Sequence, residues 1–329
     1  MPATSAPVPP VPVTVDASRF LRRAFVFALI AAVLYVGLYV WSERLVVAHA
    51  QRNRFFTIRT AAPARYDWVI LGASHAAALD YRDMTARLEA ASGSRIMNLA
   101  VVGGGVTVNR LLLDYFLERH RTGGVAYVVD SFAFYARTWN EERLSDASLF
   151  TRAPFDPTLV RLLFRAGAPR SSVVAYASGF SKINNADRYA PDRRADEGVA
   201  FDRRYRPVPQ IDRQRMSYLY GTEVDDTALA HRARYLDALE RLVADTRARG
   251  IQVVVIRPPL PARVRQRLPG EDGFDAALVA MLARHNVTLH DLSRTNNDDA
   301  LFYDTDHLNQ AGVLRLIDAH LRTVLAPVR

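Results

Sequence analysis

The chain has 329 residues, half of them hydrophobic, and carries a formal net charge of +9 at pH 7. This apolar content is enough for a sizeable core in one large domain or two modest ones. The absence of cysteine excludes disulfides, thiolate catalysis and a cysteine-ligated zinc site. The arginines are scattered and no nucleic-acid-binding motif is present, so we predict no nucleic-acid partner. We assign the charge mainly to solvated surface, where it can attract anionic polymers or lipid headgroups.

An apolar segment near the N-terminus, Ala24–Ser42, predicts a transmembrane helix. It has 19 residues without a charge, against the roughly 20 that cross a bilayer core. Arginines precede it and aromatic residues lie toward its far end: Arg19, Arg22 and Arg23, then Tyr35, Tyr39 and Trp41. Basic flanks stay in the cytoplasm and aromatic residues favour the interface. We therefore expect a single-pass protein of the inner (cytoplasmic) membrane, with everything after Glu43 on the periplasmic or extracytoplasmic side.

Two other interpretations of this segment compete with an anchor. A cleaved signal peptide would use the A-x-A pattern of Ala48-His49-Ala50, but a signal core has only ~7–15 residues, and Glu43 and Arg44 precede the cut. A buried globular helix would need polar residues at helical spacing, which this run lacks. The pattern favours an uncleaved anchor between a Pro-rich cytoplasmic tail, residues 1–23, and a helical or flexible stem, residues 43–65.

A repeating strand–helix pattern follows the stem. Five short apolar runs predict buried parallel strands: Trp68–Leu71, Arg95–Val101, Val125–Val129, Ile251–Ile256 and Val287–Leu292. Segments with helical spacing separate or follow these runs: 76–91, 106–120, 227–249, 273–285 and 309–325. The alternation predicts an α/β domain, residues 66–329, with a doubly wound parallel sheet of about five strands. Such sheets bind ligands at the carboxyl ends of their strands, so the polar residues that follow the strands are the candidates for a site.

Residues 133–226 interrupt this pattern. The segment is rich in Arg, Asp, Tyr and Pro and predicts only one short helix, Leu159–Phe164. So long an irregular segment inside a compact domain is usually functional or a sign of a wrong assignment. We interpret it as an insertion that forms a lid or a substrate groove.

The first predicted strand ends in Gly72-Ala73-Ser74-His75. A serine at a strand-to-helix turn exposes its hydroxyl near the positive end of the next helix, which suits a nucleophile if a base lies nearby. The alternative is that Ser74 caps that helix. The motif is not the G-x-S-x-G elbow of α/β-hydrolases, because position 76 is not glycine.

After the fifth predicted strand, Asp304 and His307 stand three residues apart. A tight turn would let the carboxylate hold the imidazole in one tautomer, leaving His307 to accept a proton from a serine. Alternatively, Asp304 and Asp306 are turn residues and Asn309 caps the last helix. A calcium loop is excluded, because its sixth position would be Asn309 and its twelfth Arg315.

The second predicted strand leads into Gly103-Gly104-Gly105. Glycines allow close approach of the backbone, so the amide of Gly103 could join that of Ser74 in stabilising an oxyanion. A dinucleotide fingerprint is a competing interpretation, but Val108 occupies the place of its third glycine. The third alternative is a plain flexible turn.

Taken in this order, the three elements resemble the SGNH/GDSL hydrolase superfamily over roughly residues 66–325. The resemblance implies a flavodoxin-like doubly wound domain of SGNH type, with Ser74 as nucleophile, His307 as base and Asp304 as its partner. Gly103 would supply an oxyanion-hole amide. The sequence departs from the family at Ala73, where Asp is usual. It also lacks a Gly-x-Asn-Asp block after the third strand, so the asparagine donor is unassigned and Asn140 is only the nearest later asparagine.

The anchor and the degenerate third block are similar to one branch, which contains alginate O-acetyltransferase-like and teichoic-acid D-alanylation proteins. This resemblance implies O-acyl transfer, with acetyl as the expected group, onto a polysaccharide or cell-wall polymer, and a multi-spanning membrane acyltransferase as a candidate partner. The candidate substrate-binding residues are His75, Asp130, Tyr135 and Trp139. No metal or cofactor is expected. The alternatives are an anchored carbohydrate esterase with the same triad and a non-catalytic polymer-binding scaffold.

Overall fold

The computed structural model describes residues 16–50, 52–146, 149, 152–184, 199–221 and 224–328. Most of the predicted tail, residues 1–15, lies outside the described residues. The same holds for parts of the predicted insertion, among them residues 185–198.

The centre of the domain is a sheet of five parallel strands. In chain order they are β1 Arg65–Leu71, β2 Ile96–Asn98, β3 Arg121–Val128, β4 Gln252–Arg257 and β5 Thr288–Asp291. Their order in the sheet is β2-β1-β3-β4-β5, which confirms the predicted α/β, doubly wound arrangement. The chain reverses direction across the sheet between β1 and β3, so a crevice opens at the carboxyl ends of these two strands.

Helices cover both faces of this sheet and account for the continuous apolar strands. The α-helices in chain order, α1 to α15, are Ala17–His49, Arg54–Thr60, Ser74–Ala77, Met84–Ser92, Val106–Leu117, Glu141–Ser145, Pro157–Arg165, Arg170–Ala177, Phe180–Ile183, Pro209–Tyr220, Asp226–Ala248, Ala262–Arg265, Glu271–Arg284, Gln310–Leu316 and Arg322–Val324. One core cluster joins β1, β3 and β4 to α5, α11 and α13. A second cluster joins the opposite face to α4 and the C-terminal helices. Strands β1 to β4 therefore bury both of their faces, whereas the edge strand β5 is only partly covered.

Three helical predictions differ from the structure. The segment 76–91 is not one helix, because the chain turns at Tyr81 and at Arg82, whose φ is +52°, before α4 begins. The C-terminal segment 309–325 contains a π-helical turn, Ile317–Leu321, between α14 and α15. The interval 133–226 contains more helix than the single one predicted, since α6, α8, α9 and α10 accompany α7.

The N-terminal helix α1 runs without interruption for 33 residues and is long and apolar enough to cross a membrane. It includes the predicted span, 24–42, and continues into the interval predicted as a stem. The same interval holds α2, whose Phe55 and Ile58 are buried in the main core. The chain after α1 is therefore packed into the domain at α2.

Candidate active site

The turn from β1 to α3 presents Ser74. Gly72 has a φ of +148°, and a Cβ there would lie 2.8 Å from the carbonyl oxygen of Val128, so this tight turn requires glycine. Ser74 is the first residue of α3, and Ala73 occupies the capping position without a side-chain hydrogen bond. The Ser74 hydroxyl does not cap the helix; its Oγ lies 2.7 Å from Nε2 of His307.

A turn after β5 fixes the imidazole of His307. The carboxylate of Asp304 accepts hydrogen bonds from the backbone N–H groups of Asp306, at 3.1 Å, and His307, at 2.8 Å. The same carboxylate lies 2.9 Å from Nδ1 of His307. Burial raises the pKa of Asp304, but the hydrogen bonds and charge of His307 outweigh it and hold this pKa at about 2. The structure thus brings Ser74, His307 and Asp304 into one hydrogen-bonded series.

A second set of charged side chains lies behind His307. The ring of His75 stacks on that of His307 with centroids 4.7 Å apart. Nδ1 of His75 lies 2.6 Å from Asp130, and Nε2 lies 3.1 Å from the carbonyl oxygen of Asp306. Arg215 donates two hydrogen bonds to the buried carboxylate of Asp306, from Nε at 3.0 Å and Nη2 at 3.1 Å. Negative and positive groups therefore alternate from Asp130 to Arg215.

This alternation favours the charged forms of His75 and Asp306. Burial lowers the pKa of His75, but the charge of Asp130 and its hydrogen bond outweigh burial and raise the pKa to about 9. Burial also raises the pKa of Asp306, yet the charges of His307 and Arg215 hold it below its ordinary value. His75 and Asp130, both predicted to contact substrate, contact each other. They line a cavity of about 20 Å³.

Three of these side chains have donor atoms close enough together to share one metal ion. Donor atoms of His75, Asp306 and His307 lie within 4.8 Å of one another. However, Asp306 is held by Arg215, and Nε2 of His307 faces Ser74. A cation would have to displace both contacts and stand next to a guanidinium group. The donor set therefore suits a charge network better than a metal site.

A cleft of about 370 Å³ opens beside Ser74 and His307. Trp139, one of the predicted substrate-binding residues, lines it and meets Tyr218 edge to face, with ring centroids 5.5 Å apart. Tyr135 does not line it. Its hydroxyl donates to the carbonyl oxygen of Gly270, and its ring packs in the core. Tyr218 was not predicted, because it lies on α10, a helix without a clear apolar period.

The glycine loop after β2 borders the same cleft. Gly103 has a φ of +69°, and a Cβ there would lie 3.3 Å from the ring of Trp139. Among the residues that the structure describes, the amides of Ser74 and Gly103 have no hydrogen-bond acceptor. Two amide donors are thus available at one edge of the cleft, as an oxyanion hole requires.

Two asparagines organise this region without facing the reacting atoms. Asn109, which sequence patterns did not single out, is fully buried and accepts the N–H of Gly72 while donating to the carbonyl oxygens of Gly104 and Gly105. It ties the serine turn to the glycine loop. Asn140 donates to the carbonyl oxygens of residues 133 and 136, so both of its donors serve the backbone.

No protein-family model matches this chain, and no curated protein matches its sequence. The described residues combine a serine, a histidine and a carboxylate in hydrogen-bonded series, two amides without acceptors, and a partly aromatic cleft.

Proposed function

We propose that this chain is a membrane-anchored O-acyltransferase that works outside the cytoplasm on a polysaccharide or cell-wall polymer. The observation that carries the proposal is the contact of 2.7 Å between Ser74 Oγ and His307 Nε2, with Asp304 on the other ring nitrogen. A serine hydroxyl becomes a useful nucleophile when a positioned base removes its proton.

The reaction would proceed in two halves. Ser74 Oγ attacks the acyl carbonyl of the donor while His307 takes the hydroxyl proton, and the amides of Ser74 and Gly103 stabilise the oxyanion. His307 then returns the proton to the leaving group, which leaves an acyl ester on Ser74. A sugar hydroxyl attacks this ester after losing its proton to His307, and that proton returns to Ser74 when the ester breaks. Asp304 stabilises the imidazolium in both halves.

The cleft supports a carbohydrate acceptor. Tyr218 is largely exposed and offers aromatic surface of the kind that packs on sugar rings, beside the mostly buried ring of Trp139, and Glu142 and Asp146 line the same cleft. Aromatic side chains combine apolar area with a polar edge, which suits the mixed surface of a sugar. The arginines before the predicted span support an extracytoplasmic site. A multi-spanning membrane acyltransferase would be the partner that supplies the acyl group.

An esterase with the same triad is the second candidate. Tyr218 is largely exposed at the mouth of the cleft, so water can approach the acyl ester on Ser74. Transfer and hydrolysis differ only in the nucleophile that reaches this ester, and exclusion of water favours transfer. The two functions therefore have to be separated by adding an acceptor.

The test uses the full-length chain in detergent with an activated acetyl ester. We expect acetate release and a trapped acetyl group on Ser74 in the wild type, and neither in Ser74→Ala or His307→Ala. Ser92→Ala is the matched control, since this hydroxyl donates to the carbonyl oxygen of Leu88 and accepts the N–H of Ser94, both local contacts at the end of its own helix. Added oligosaccharides should gain acetyl groups if the chain is a transferase, whereas faster release without acetylated sugar would indicate an esterase. Equal, negligible release by all four proteins would favour a non-catalytic scaffold.

A further inference from the structure

One face of α1 packs on the segment that joins α8 to α9. The hydroxyl of Tyr35 donates to the carbonyl oxygen of Ser178 at 3.0 Å. One turn later, Tyr39 covers Gly179, where a Cβ would stand 2.4 Å from the tyrosine ring. Any residue with a Cβ would collide at position 179, whose φ of +78° also favours glycine. Close packing of the helix on this segment thus depends on Gly179.

The next turn of α1 adds a buried ion pair. The carboxylate of Glu43 accepts the N–H of Phe155 at 2.6 Å and lies 2.5 Å from Nζ of Lys182, whose side chain is fully inaccessible. Contacts at positions 35, 39 and 43 recur every four residues and so lie on a single face of the helix. These contacts therefore hold the helices α7 to α9, residues 157–184 and called the hairpin below, in one orientation relative to α1.

These contacts fix the depth of the hairpin relative to a bilayer. Tyr35 lies seven residues before the end of the predicted span, 24–42, which is about 10 Å along the helix axis. Ser178, bonded to Tyr35, must lie at a similar level. Elements that bind membrane interfaces are buried by about 5–10 Å, the same range. If α1 crosses the membrane, the hairpin reaches the lipid.

The composition of the hairpin matches that environment. Residues 157–184 contain three arginines and one lysine and no acidic residue. Phe164, Val174 and Phe180 expose 54%, 60% and 53% of their surface. Arg165 and Arg170 have no acidic partner among the described residues. Exposed apolar side chains combined with unpaired basic ones are the signature of an element at an anionic membrane surface.

We propose that the hairpin is a second membrane-binding element, lying across the boundary between headgroups and acyl chains of the outer leaflet beside α1. Phe180 and Val174 insert at the acyl boundary, and Arg165 and Arg170 bind the phosphates of anionic lipids. The domain is thereby held at two points and cannot rotate about the anchor. This inference requires that α1 spans the membrane and is independent of the chemistry at Ser74.

The natural absence of cysteine makes a direct test possible with the full-length chain. Single-cysteine variants Val174→Cys and Phe180→Cys would carry an environment-sensitive fluorophore in vesicles of phosphatidylcholine and phosphatidylglycerol that contain brominated acyl chains. Val279→Cys on α13 is the matched control, since Val279 is a similarly exposed apolar residue, 52%. Val33→Cys within α1 reports correct insertion.

We expect quenching at positions 174 and 180 at least three-fold stronger than at 279, with blue-shifted emission. Equal quenching at the three positions, with position 33 fully quenched, would overturn the proposal. If the fluorophores at positions 174 and 180 are shielded from water in native membranes but not in pure lipid vesicles, the hairpin binds a protein partner and the proposal of lipid binding is overturned. The double substitution R165Q/R170Q should reduce quenching at 180 in vesicles with phosphatidylglycerol and leave it unchanged in phosphatidylcholine alone. No change in either vesicle would reject the role of anionic lipid.

Discussion

Replacement of Glu43 by glutamine should destabilise the folded chain by about 2–3 kcal/mol. Lys182 has no water contact, and its ammonium group lies against the carboxylate of Glu43 and the rings of Tyr39 and Tyr176. Removing one member of a buried ion pair typically costs 3–5 kcal/mol, because the remaining charge is left uncompensated. We expect the lower value because Glu43 is itself about one-quarter exposed and glutamine retains an acceptor oxygen.

The assay is unfolding of the full-length chain in mild detergent, followed by tryptophan fluorescence. For a chain of this size, about 2–3 kcal/mol corresponds to a fall in Tm of roughly 4–10 °C. Burial lowers the pKa of Lys182, while Glu43 raises it in part. Without Glu43 the pKa falls further. The loss of unfolding free energy in E43Q, relative to wild type, should then be largest near neutral pH. It should shrink as the pH approaches about 10, where lysine is neutral in the unfolded chain too.

Two comparisons isolate the buried charge as the cause. The double variant E43Q/K182M should recover most of the stability, since an apolar side chain replaces the unpaired ammonium. Glu118→Gln removes a partner of the exposed Arg161 and should change stability by less than about 0.5 kcal/mol. A loss for E43Q no larger than for Glu118→Gln, or one that does not vary with pH, would refute the reasoning.

Three further predictions concern the candidate active site. Asp304→Asn should lower kcat for serine-dependent acyl release by roughly 10²–10⁴-fold with little change in KM, and an unchanged kcat would remove Asp304 from the mechanism. The folded-state pKa of Asp304 is lowered to about 2, so the stabilising effect of its carboxylate is present above about pH 4 and lost as the pH falls through 2. The unfolding free energies of D304N and wild type should therefore converge at about pH 2. The pKa of His75 is raised to about 9, so the stabilising effect of its charge is fully present below about pH 6.5 and lost as the pH rises through 9. Between about pH 6.5 and 9 the Tm should therefore fall in the wild type but not in His75→Gln.

The sheet was predictable because burial on both faces leaves a simple mark on the sequence. Strands β1 to β4 each contain an apolar run that ends at a glycine, a proline or a polar residue, and helices between the runs leave only a parallel arrangement. The rule that ligand sites form at the carboxyl ends of such strands then associates Ser74 with Asp304 and His307. Their short spacing in the last motif also made a hydrogen bond between the carboxylate and the imidazole predictable.

The second charge layer was not predictable, because it depends on contacts between distant segments. Arg215 lies on α10, whose surface is polar on most sides, and nothing local indicates that it meets Asp306. His75 is predicted only as the neighbour of a candidate nucleophile, and its pairing with Asp130 requires the ends of β1 and β3 to be adjacent. Asn109 lies within α5, and a single amide side chain adds nothing to the apolar period from which that helix was predicted. Polar residues that satisfy buried groups thus become visible only in the fold.

The N-terminal helix α1 and the candidate active site are joined by a short path through the fold. Arg54, five residues after the end of α1, donates to the carbonyl oxygen of Ala100, just after β2, and to the carboxylate of Asp80 beyond α3. Five residues extend at most about 18 Å, so the carboxyl edge of the sheet lies near the end of α1. The contacts of α1 with the hairpin prevent the rest of the domain from rotating relative to α1. If the proposed function holds, an acyl donor supplied from the membrane has a short distance to travel to Ser74, whereas a polymer has to approach along the cleft that Trp139 borders.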